Sequence, residues 1–326
     1  MALSIAPVSE PRTRRPSPEQ KLVDSLITLM ERGTTPWRRP WDGGSGGHHV
    51  NLLSGRRYRG GNPVLLQLGM HLRGSSLPYW CGFAEARTRG LVPRRGSRAV
   101  AVLRPQVLRS PGTEGEAGAS TDPSDSTGAP RPVVLYRPLP LFNAADLQGE
   151  GLPGLIRARR MAEVALQRPE PERLQNAEAV LERWPVPVLR GGDQACYLCD
   201  ADRIHLPDRN AFHSPEAALA TWAHEAIHST GHPSRLERDL SGVMGAAGAK
   251  GAAYAREELV AELGAVLLGD RLEIGNDTAH HAAYLSHWIA LLRETPRLLL
   301  QVLAEARRAA DLICPEPRAA ERCAPP

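Results

Sequence analysis

The chain has 326 residues, with 40 Lys and Arg against 36 Asp and Glu, and 42% of its residues are hydrophobic. This length predicts about two domains, each long enough to bury a core of its own. No apolar run approaches the roughly 20 residues needed to cross a bilayer, and no apolar segment follows the N-terminal arginines as a secretory signal would require, so we expect a cytoplasmic protein without a membrane span.

The basic residues are unevenly distributed along the chain. Residues 1–143 contain 20 basic and 10 acidic side chains, whereas residues 144–326 contain 20 and 26. A basic segment joined to an acidic one suggests a module that binds a polyanion beside a module with different chemistry.

The first half is predicted to begin with a leader and a helix. Residues 1–17 are rich in Pro and Arg, which is typical of a disordered segment. Apolar residues then follow at helical spacing from Pro18, a residue suited to the first helical position, and Gly33 ends this helix. Residues 35–47 contain many glycines and are predicted to form a loop.

A short helix and a hairpin are predicted next. We expect the helix over Trp80–Gly90 and two strands at Ala99–Leu103 and Val133–Tyr136. Residues 110–132 are almost entirely Gly, Pro, Ser, Thr, Ala and acidic residues, which predicts a flexible insertion inside the hairpin.

Arginines and aromatic residues are interleaved through this half of the chain. Single-stranded nucleic acid needs this mixture, because cations follow the phosphates while exposed rings stack on bases. Other interpretations are that the tryptophans form a core while the arginines only solvate the surface, or that the basic half binds RNA or an acidic protein. The candidate DNA-binding residues are Trp37, Arg38, Arg39, Trp41, Asn51, Arg57, Tyr58, Arg59, Asn62, Trp80, Arg94, Arg95 and Arg98.

The second half is predicted to be mostly helical. Residues 150–168 are predicted to be a linker between domains at 18–149 and 169–313, with a disordered tail at 314–326. Short strands are expected at Pro187–Arg190, Ala195–Leu198 and Asp202–Leu206, and helices at Leu174–Arg183, Pro215–Thr230, Ala253–Leu268, His280–Glu294 and Arg297–Ile313.

The second of these helices, Pro215–Thr230, carries the pattern HExxH at His224–His228, after a start at Ser214 and Pro215. Positions four apart on an α-helix lie on one side, so both imidazoles can bind the same ion. Zn²⁺ takes its first two ligands in this geometry. Glu225, beside the first ligand, can accept a proton from water and deliver it to a leaving group.

A catalytic zinc site needs a third protein ligand. The pattern HExxHxxGxxH would place it at position 234, which is Ser234, so a metzincin is not favoured. Glu258 on the following helix can bind the metal, with Glu257 as the alternative, while Glu262 can orient a ligating histidine. A solvated acidic stripe remains the other interpretation of these glutamates.

Motifs in both halves resemble the ArdC-type antirestriction proteins. The first half is similar to their N-terminal domain, also found in plasmid-encoded primases, at Trp37–Trp41 and Tyr58–Asn62. The second half is similar to the zincin-like metallopeptidase domain that follows, at His224–His232 and Tyr254–Glu262. The two matches cover about residues 18–313 in the same order.

The resemblance implies an α+β protein. A mixed helix and antiparallel-sheet domain would bind single-stranded DNA, and a mostly helical gluzincin-type metallopeptidase domain would follow it. One divalent ion, expected to be Zn²⁺, would be held by His224, His228 and Glu258, with Glu225 as acid and base and a protein or peptide as substrate. The protein would protect DNA that enters a cell on mobile elements. The alternative is a non-catalytic DNA-protection protein whose metal is purely structural.

Overall fold

The computed structural model of the protein describes residues 18–33, 37, 48–108, 133–240, 251–275 and 285–316. The first half contains α1 (Pro18–Glu31), β1 (Val50–Asn51), α2 (Asn62–His71), β2 (Tyr79–Gly82), α3 (Phe83–Arg87), β3 (Val92–Pro93), β4 (Val100–Leu108), β5 (Val133–Asn143) and β6 (Leu147–Gln148). The second half contains α4 (Leu152–Leu166), α5 (Glu170–Glu182), β7 (Val188–Arg190), β8 (Cys196–Leu198), β9 (Arg203–Leu206), α6 (Pro215–Ser229), α7 (Ala252–Leu272), α8 (Leu285–Glu294) and α9 (Leu298–Ile313). This is the expected α+β class, and none of the helices within the described ranges is long and apolar enough to span a bilayer.

The sheets confirm the predicted hairpin. In the main sheet the strand order is β1-β2-β5-β4, and β4 pairs with β5 antiparallel from Val100 opposite Leu141 to Leu108 opposite Val133. The predicted insertion at 110–132 lies outside the described residues, as do the leader and residues 317–326 of the tail. The predicted strands of the second half form the three-stranded sheet β7-β9-β8, in which β8 lies at an edge.

The predicted helix over Trp80–Gly90 is wrong at its start, because Trp80 lies in β2 and the helix begins only at Phe83. Trp80 is fully buried under α2, a helix that the sequence analysis missed. The close approach of α2 requires Gly69, since a Cβ atom there would lie 2.5 Å from a methyl carbon of Val100.

The predicted linker at 150–168 is also corrected, because most of it forms α4. Leu152 is buried among the side chains of β1 and β2. The hydroxyl of Tyr79 donates a hydrogen bond of 2.8 Å to Glu163, and Arg159 Nε donates one of 2.7 Å to the carbonyl of Leu52. The helix is therefore packed onto the first half of the chain.

The largest hydrophobic core contains side chains from both halves, whereas two smaller buried clusters belong to residues 50–152. Leu26 and Met30 of α1 are buried in it, together with Leu65 of α2 and most of the buried apolar side chains of α6, α7 and α9. Helix α1 packs against α8. The boundaries 18–149 and 169–313 stay predictions, but the first helix packs with the second half.

A cluster of charged residues also joins the halves. His48 Nδ1 lies 3.1 Å from Asp270 Oδ1, and His48 Nε2 lies 3.4 Å from Glu273 Oε1. Arg168 and Arg57 approach Glu273 to 3.2 and 3.5 Å. The hydrogen bond from His48, with the nearby arginines, lowers the pKa of Glu273 to about 2 although burial opposes the shift. Burial also opposes the shift at His48, but its hydrogen bond to Asp270 raises its pKa.

We expect this charged cluster to make the free energy of unfolding depend on pH. The folded-state pKa of Glu273 is lowered from 4.5. The ionised side chain therefore contributes fully to the free energy of unfolding above the unfolded-state pKa, and this contribution is lost as pH falls toward 2. Glu273→Gln should cost about 1–2 kcal/mol at pH 6, after allowance for solvent screening. The difference from wild type in urea denaturation should shrink between pH 5 and pH 3, and a difference independent of pH would contradict this assignment.

Candidate functional site

Helix α6 carries the HExxH pattern and has a capped N-terminus. The hydroxyl oxygen of Ser214 accepts a hydrogen bond of 3.1 Å from the backbone N–H of Ala217, and Pro215 occupies the first turn, as predicted. Its buried face packs on α7, where Gly264 permits close contact, since a Cβ atom there would lie 2.7 Å from Ile227 Cγ2. This close packing brings the glutamates of α7 beside the histidines of α6.

Three side chains on these two helices converge at one point. His224 Nε2 lies 3.2 Å from His228 Nε2 and 3.8 Å from Glu258 Oε2, and His228 Nε2 lies 3.6 Å from Glu258 Oε1. One ligand atom from each residue lies within 4.8 Å of the others. A tetrahedral Zn²⁺ with bonds of about 2.0–2.1 Å needs ligand atoms about 3.3 Å apart. The donor set and its spacing therefore fit a divalent ion.

Glu257, the alternative third ligand, has a different position. Its Oε1 lies 3.2 Å from His228 Nδ1, the ring nitrogen that faces away from the converging atoms. Arg238 donates hydrogen bonds of 2.8 and 2.9 Å to the two oxygens of Glu257. Burial opposes ionisation, but the Arg238 hydrogen bond holds the pKa of Glu257 below its usual value. Glu257 is thus placed to orient His228 rather than to bind the ion.

Glu262 lies beside the other histidine. Its Oε2 is 4.0 Å from His224 Nδ1, and its Oε1 accepts a hydrogen bond of 2.7 Å from Trp37 Nε1. Glu262 therefore lies near the His224 ring, and its role in orienting that ring stays a prediction. The contribution of Trp37 was missed, because 225 residues separate the two partners in sequence.

Glu225 lies next to the converging ligands but is not one of them. Its side chain is buried, and burial raises its pKa to about 7 even though the nearby His228 acts in the opposite direction. The backbone of Tyr197, on the edge strand β8, hydrogen-bonds its carboxylate. A carboxyl group with a pKa close to neutrality suits proton transfer.

Two of the tryptophans that were predicted to stack on bases, Trp37 and Trp80, are buried, which corrects that prediction. Trp80 is fully buried and its Nε1 donates a hydrogen bond of 3.2 Å to His49 Nδ1, while only 2% of Trp37 is exposed. Neither ring has a face open to a base. Trp41, with Arg38 and Arg39, lies outside the described residues.

Three other candidates are engaged in the fold itself. Asn51 Oδ1 accepts hydrogen bonds from the backbone of the turn that follows it, and Asn62 bonds both the N–H and the carbonyl of Leu103. Tyr58 is half-buried, and its hydroxyl donates to the carbonyl of Trp80 at 3.4 Å. These side chains have structural roles in the fold, and their assignment as DNA contacts stays a prediction.

The remaining candidates are arginines of the first half. Arg94, Arg95 and Arg98 are exposed, whereas Arg59 is half-buried and Arg57 is exposed but directed toward Glu273.

Phe83, which was not among the predicted contacts, is 47% exposed and lies 6.4 Å from Phe142, measured between ring centres. Arg87 lies over the Phe83 ring at 5.8 Å. A partly exposed ring beside a cation is the arrangement that the prediction had assigned to the tryptophans.

Each half of the chain matches a known family model. Residues 17–128 match the N-terminal domain of anti-restriction factor ArdC, and residues 175–305 match a zincin-like metallopeptidase. Two crystal structures of the antirestriction ArdC protein from the R388 plasmid, one metal-free and one with Mn(II), are similar to this chain with 27% identity and a TM-score of 0.62. The match covers 90% of this chain and 96% of theirs.

Longer proteins are also similar to this chain. Two DNA primases TraC of Escherichia coli are 32% identical over 309 residues and 33% identical over 301 residues. The chain spans 27% and 19% of the length of these primases, so the match concerns one part of each. The uncharacterized protein y4eC of Sinorhizobium fredii is 27% identical over 295 residues, with 90% of both chains covered.

Proposed function

This chain belongs to the ArdC-type antirestriction proteins, and on that premise we propose that it binds single-stranded DNA through its first half and cleaves peptide bonds at the metal centre of its second half. His224, His228 and Glu258 would hold the ion, with Zn²⁺ expected for a zincin-like domain. An ion bound there would supply a Lewis acid that polarises the peptide carbonyl.

The position of Glu225 is the observation that carries the peptidase proposal. Its carboxylate accepts a proton from the water that attacks the carbonyl, and it returns that proton to the departing amine. The backbone contact from Tyr197 keeps the carboxylate in place. An ion that only joined α6 to α7 would need the three ligands and no buried acid beside them, so Glu225 favours catalysis over a structural metal.

An exposed basic segment supports the DNA-binding proposal. Arginines at positions 87, 89, 94, 95 and 98 are exposed from the last residue of α3 to the start of β4, where they can follow a phosphate backbone. The exposed ring of Phe83 lies at the start of the same segment and offers a face for a base. A duplex hides its base faces, so a surface that uses both contacts prefers single strands.

We expect Phe83→Ala to raise the Kd for a fluorescent single-stranded oligonucleotide by about 5- to 100-fold, because one stacked base is worth about 1–3 kcal/mol. The slope of log Kd against log salt should hardly change, since the phosphate contacts remain. Arg95→Ala and Arg98→Ala should each lower that slope by about 0.7. Fluorescence anisotropy across a salt series measures both quantities.

Leu189→Ala is a matched control, because Leu189 is 50% exposed in the second half of the chain and should not affect binding. Equal or tighter binding to a duplex of the same sequence would refute the preference for single strands.

The R388 relative is an antirestriction protein, and we extend that role to this chain. Single-stranded DNA that enters a cell would be its ligand, and its site of action would then be the cytoplasm. The substrate of the peptidase would be a protein that acts on the same DNA.

A further inference from the structure

Trp37 comes from the half of the chain that matches the ArdC N-terminal domain, yet it is buried in the core around the metal centre. Its ring centre lies 5.4 Å from that of Trp288 on α8, with an angle of 59° between the rings. Leu26 and Met30 of α1 lie in the same core. The Trp37 ring is therefore enclosed in this core against Trp288, and its indole N–H has a defined direction.

That N–H is directed at the outer partner of a metal ligand. Trp37 Nε1 donates a hydrogen bond of 2.7 Å to Glu262 Oε1, and Glu262 Oε2 lies 4.0 Å from His224 Nδ1. His224 Nε2, on the other side of the same ring, belongs to the converging ligand atoms. An indole, a carboxylate and an imidazole thus follow one another from the core to the metal centre.

The burial of Glu262 makes its hydrogen bond from Trp37 energetically important. Only 1% of Glu262 is exposed, and a buried carboxylate needs hydrogen-bond donors that hold the charge and its direction. A carboxylate near the distal nitrogen of a histidine favours one orientation of the ring and increases its basicity as a ligand. At 4.0 Å Glu262 acts on His224 through its charge rather than through a direct hydrogen bond. Whatever orients the carboxylate therefore also orients the histidine.

We propose that Trp37 is a positioning residue of the metal centre, through Glu262 and His224, so that the first half of the chain helps to form the site of the second. The inference rests on the metal site proposed above. It assigns to Trp37 a role different from base stacking, and it adds a residue that neither the HExxH helix nor α7 supplies.

The test compares Zn²⁺ affinity between full-length variants, by competition with a chromophoric chelator. Trp37→Phe keeps an aromatic ring but removes the N–H, and it should weaken Zn²⁺ binding about 10-fold, at the lower end of the effect of outer-shell residues. The absorption bands of the Co²⁺-loaded protein should also shift, because the ligand field at His224 changes. A loss of packing alone would not produce that shift.

Trp288→Phe is the matched control. It removes a second buried indole N–H in the same cluster, which donates 2.9 Å to the backbone carbonyl of Ala255. Both variants should lower the Tm of the metal-free protein, but only Trp37→Phe should weaken metal binding. Equal losses of affinity in the two variants, or wild-type affinity in Trp37→Phe, would overturn the inference.

A double-variant cycle identifies the route. In a Glu262→Ala background, Trp37→Phe should cause no further loss of affinity, and an additive loss would contradict the route through Glu262. If Trp37→Phe does not fold, β-(3-benzothienyl)alanine at position 37 keeps both rings and replaces only the N–H with sulfur, with the same expected loss. Failure of the wild type to bind Zn²⁺ would refute the proposed metal site itself, and with it this inference.

Discussion

Glu225→Gln is expected to lower kcat for peptide hydrolysis by about 10²- to 10⁴-fold, which is the usual contribution of a general acid and base. The amide has nearly the same shape as the carboxyl group but cannot accept the proton of the attacking water. The three ligands are unchanged, so elemental analysis should find the same metal content as in the wild type. A family of peptide substrates with a fluorescent reporter measures the rate.

Glu216→Gln is a suitable control for this experiment. Glu216 lies at the start of the same helix, where its carboxylate is 3.5 Å from Arg173, and its replacement should leave the rate unchanged. If the wild type and Glu225→Gln hydrolyse a substrate equally well, Glu225 is not the acid and base. If neither is active while chelation lowers the Tm of both, the structural-metal alternative is favoured.

The approach of the two histidines in the proposed metal site was predictable because their geometry is local. The two histidines share a helix at a spacing of four, which sets their relative direction from the sequence alone. The choice between Glu257 and Glu258 was not predictable, since it depends on the rotation of α7 against α6. That rotation is set by the contact of Gly264 with Ile227 and by the position of Arg238, which are tertiary features.

The nucleic-acid surface was predicted less well, for a physical reason. A tryptophan among arginines has the same sequence pattern whether its ring is exposed or buried, and the structure buries Trp37 and Trp80. Both buried indoles donate their N–H to partners inside the protein, to Glu262 and to His49. Phe83 was not predicted as a base-stacking residue, because an isolated phenylalanine in a sequence usually belongs to a hydrophobic core.

Helix α4 was missed because its sequence contains opposing signals. Gly151, Pro153 and Gly154 are typical of a linker, yet proline is well tolerated in the first turn of a helix. Only Leu152 is fully buried in this helix, so the apolar periodicity is weak. Its order comes from tertiary contacts such as the hydrogen bond between Tyr79 and Glu163, which a local pattern does not contain.

Arg238→Met is expected to lower the free energy of unfolding of the metal-free protein by about 3–5 kcal/mol. The Arg238 side chain is 5% exposed and its partner Glu257 only 1%. Removal of the guanidinium leaves a buried carboxylate without its strongest donor. It also removes hydrogen bonds of 2.9 Å to the carbonyl of Ile227 and 2.7 Å to Thr230 Oγ1, at the end of α6. Urea denaturation in the presence of a chelator measures the loss.

Arg256→Met is the matched control, because Arg256 lies on α7 and pairs with Glu305 in a position where both side chains are about a quarter to a third exposed. A solvated pair of this kind contributes at most about 1 kcal/mol. If Arg238→Met costs no more than Arg256→Met, burial of the Arg238 pair is not what stabilises this end of α6.

The double variant Arg238→Met with Glu257→Leu distinguishes the destabilisation caused by an isolated buried charge from the net contribution of the ion pair to the free energy of unfolding. Apolar replacement of both members of a buried pair is often close to neutral, so the double variant should be more stable than Arg238→Met alone. Its Zn²⁺ affinity should nevertheless stay about 10-fold below wild type, because His228 has lost the carboxylate at 3.2 Å from its Nδ1. Recovery of stability without recovery of affinity would assign Glu257 to the orientation of His228; recovery of both would show that the charge mattered only for folding.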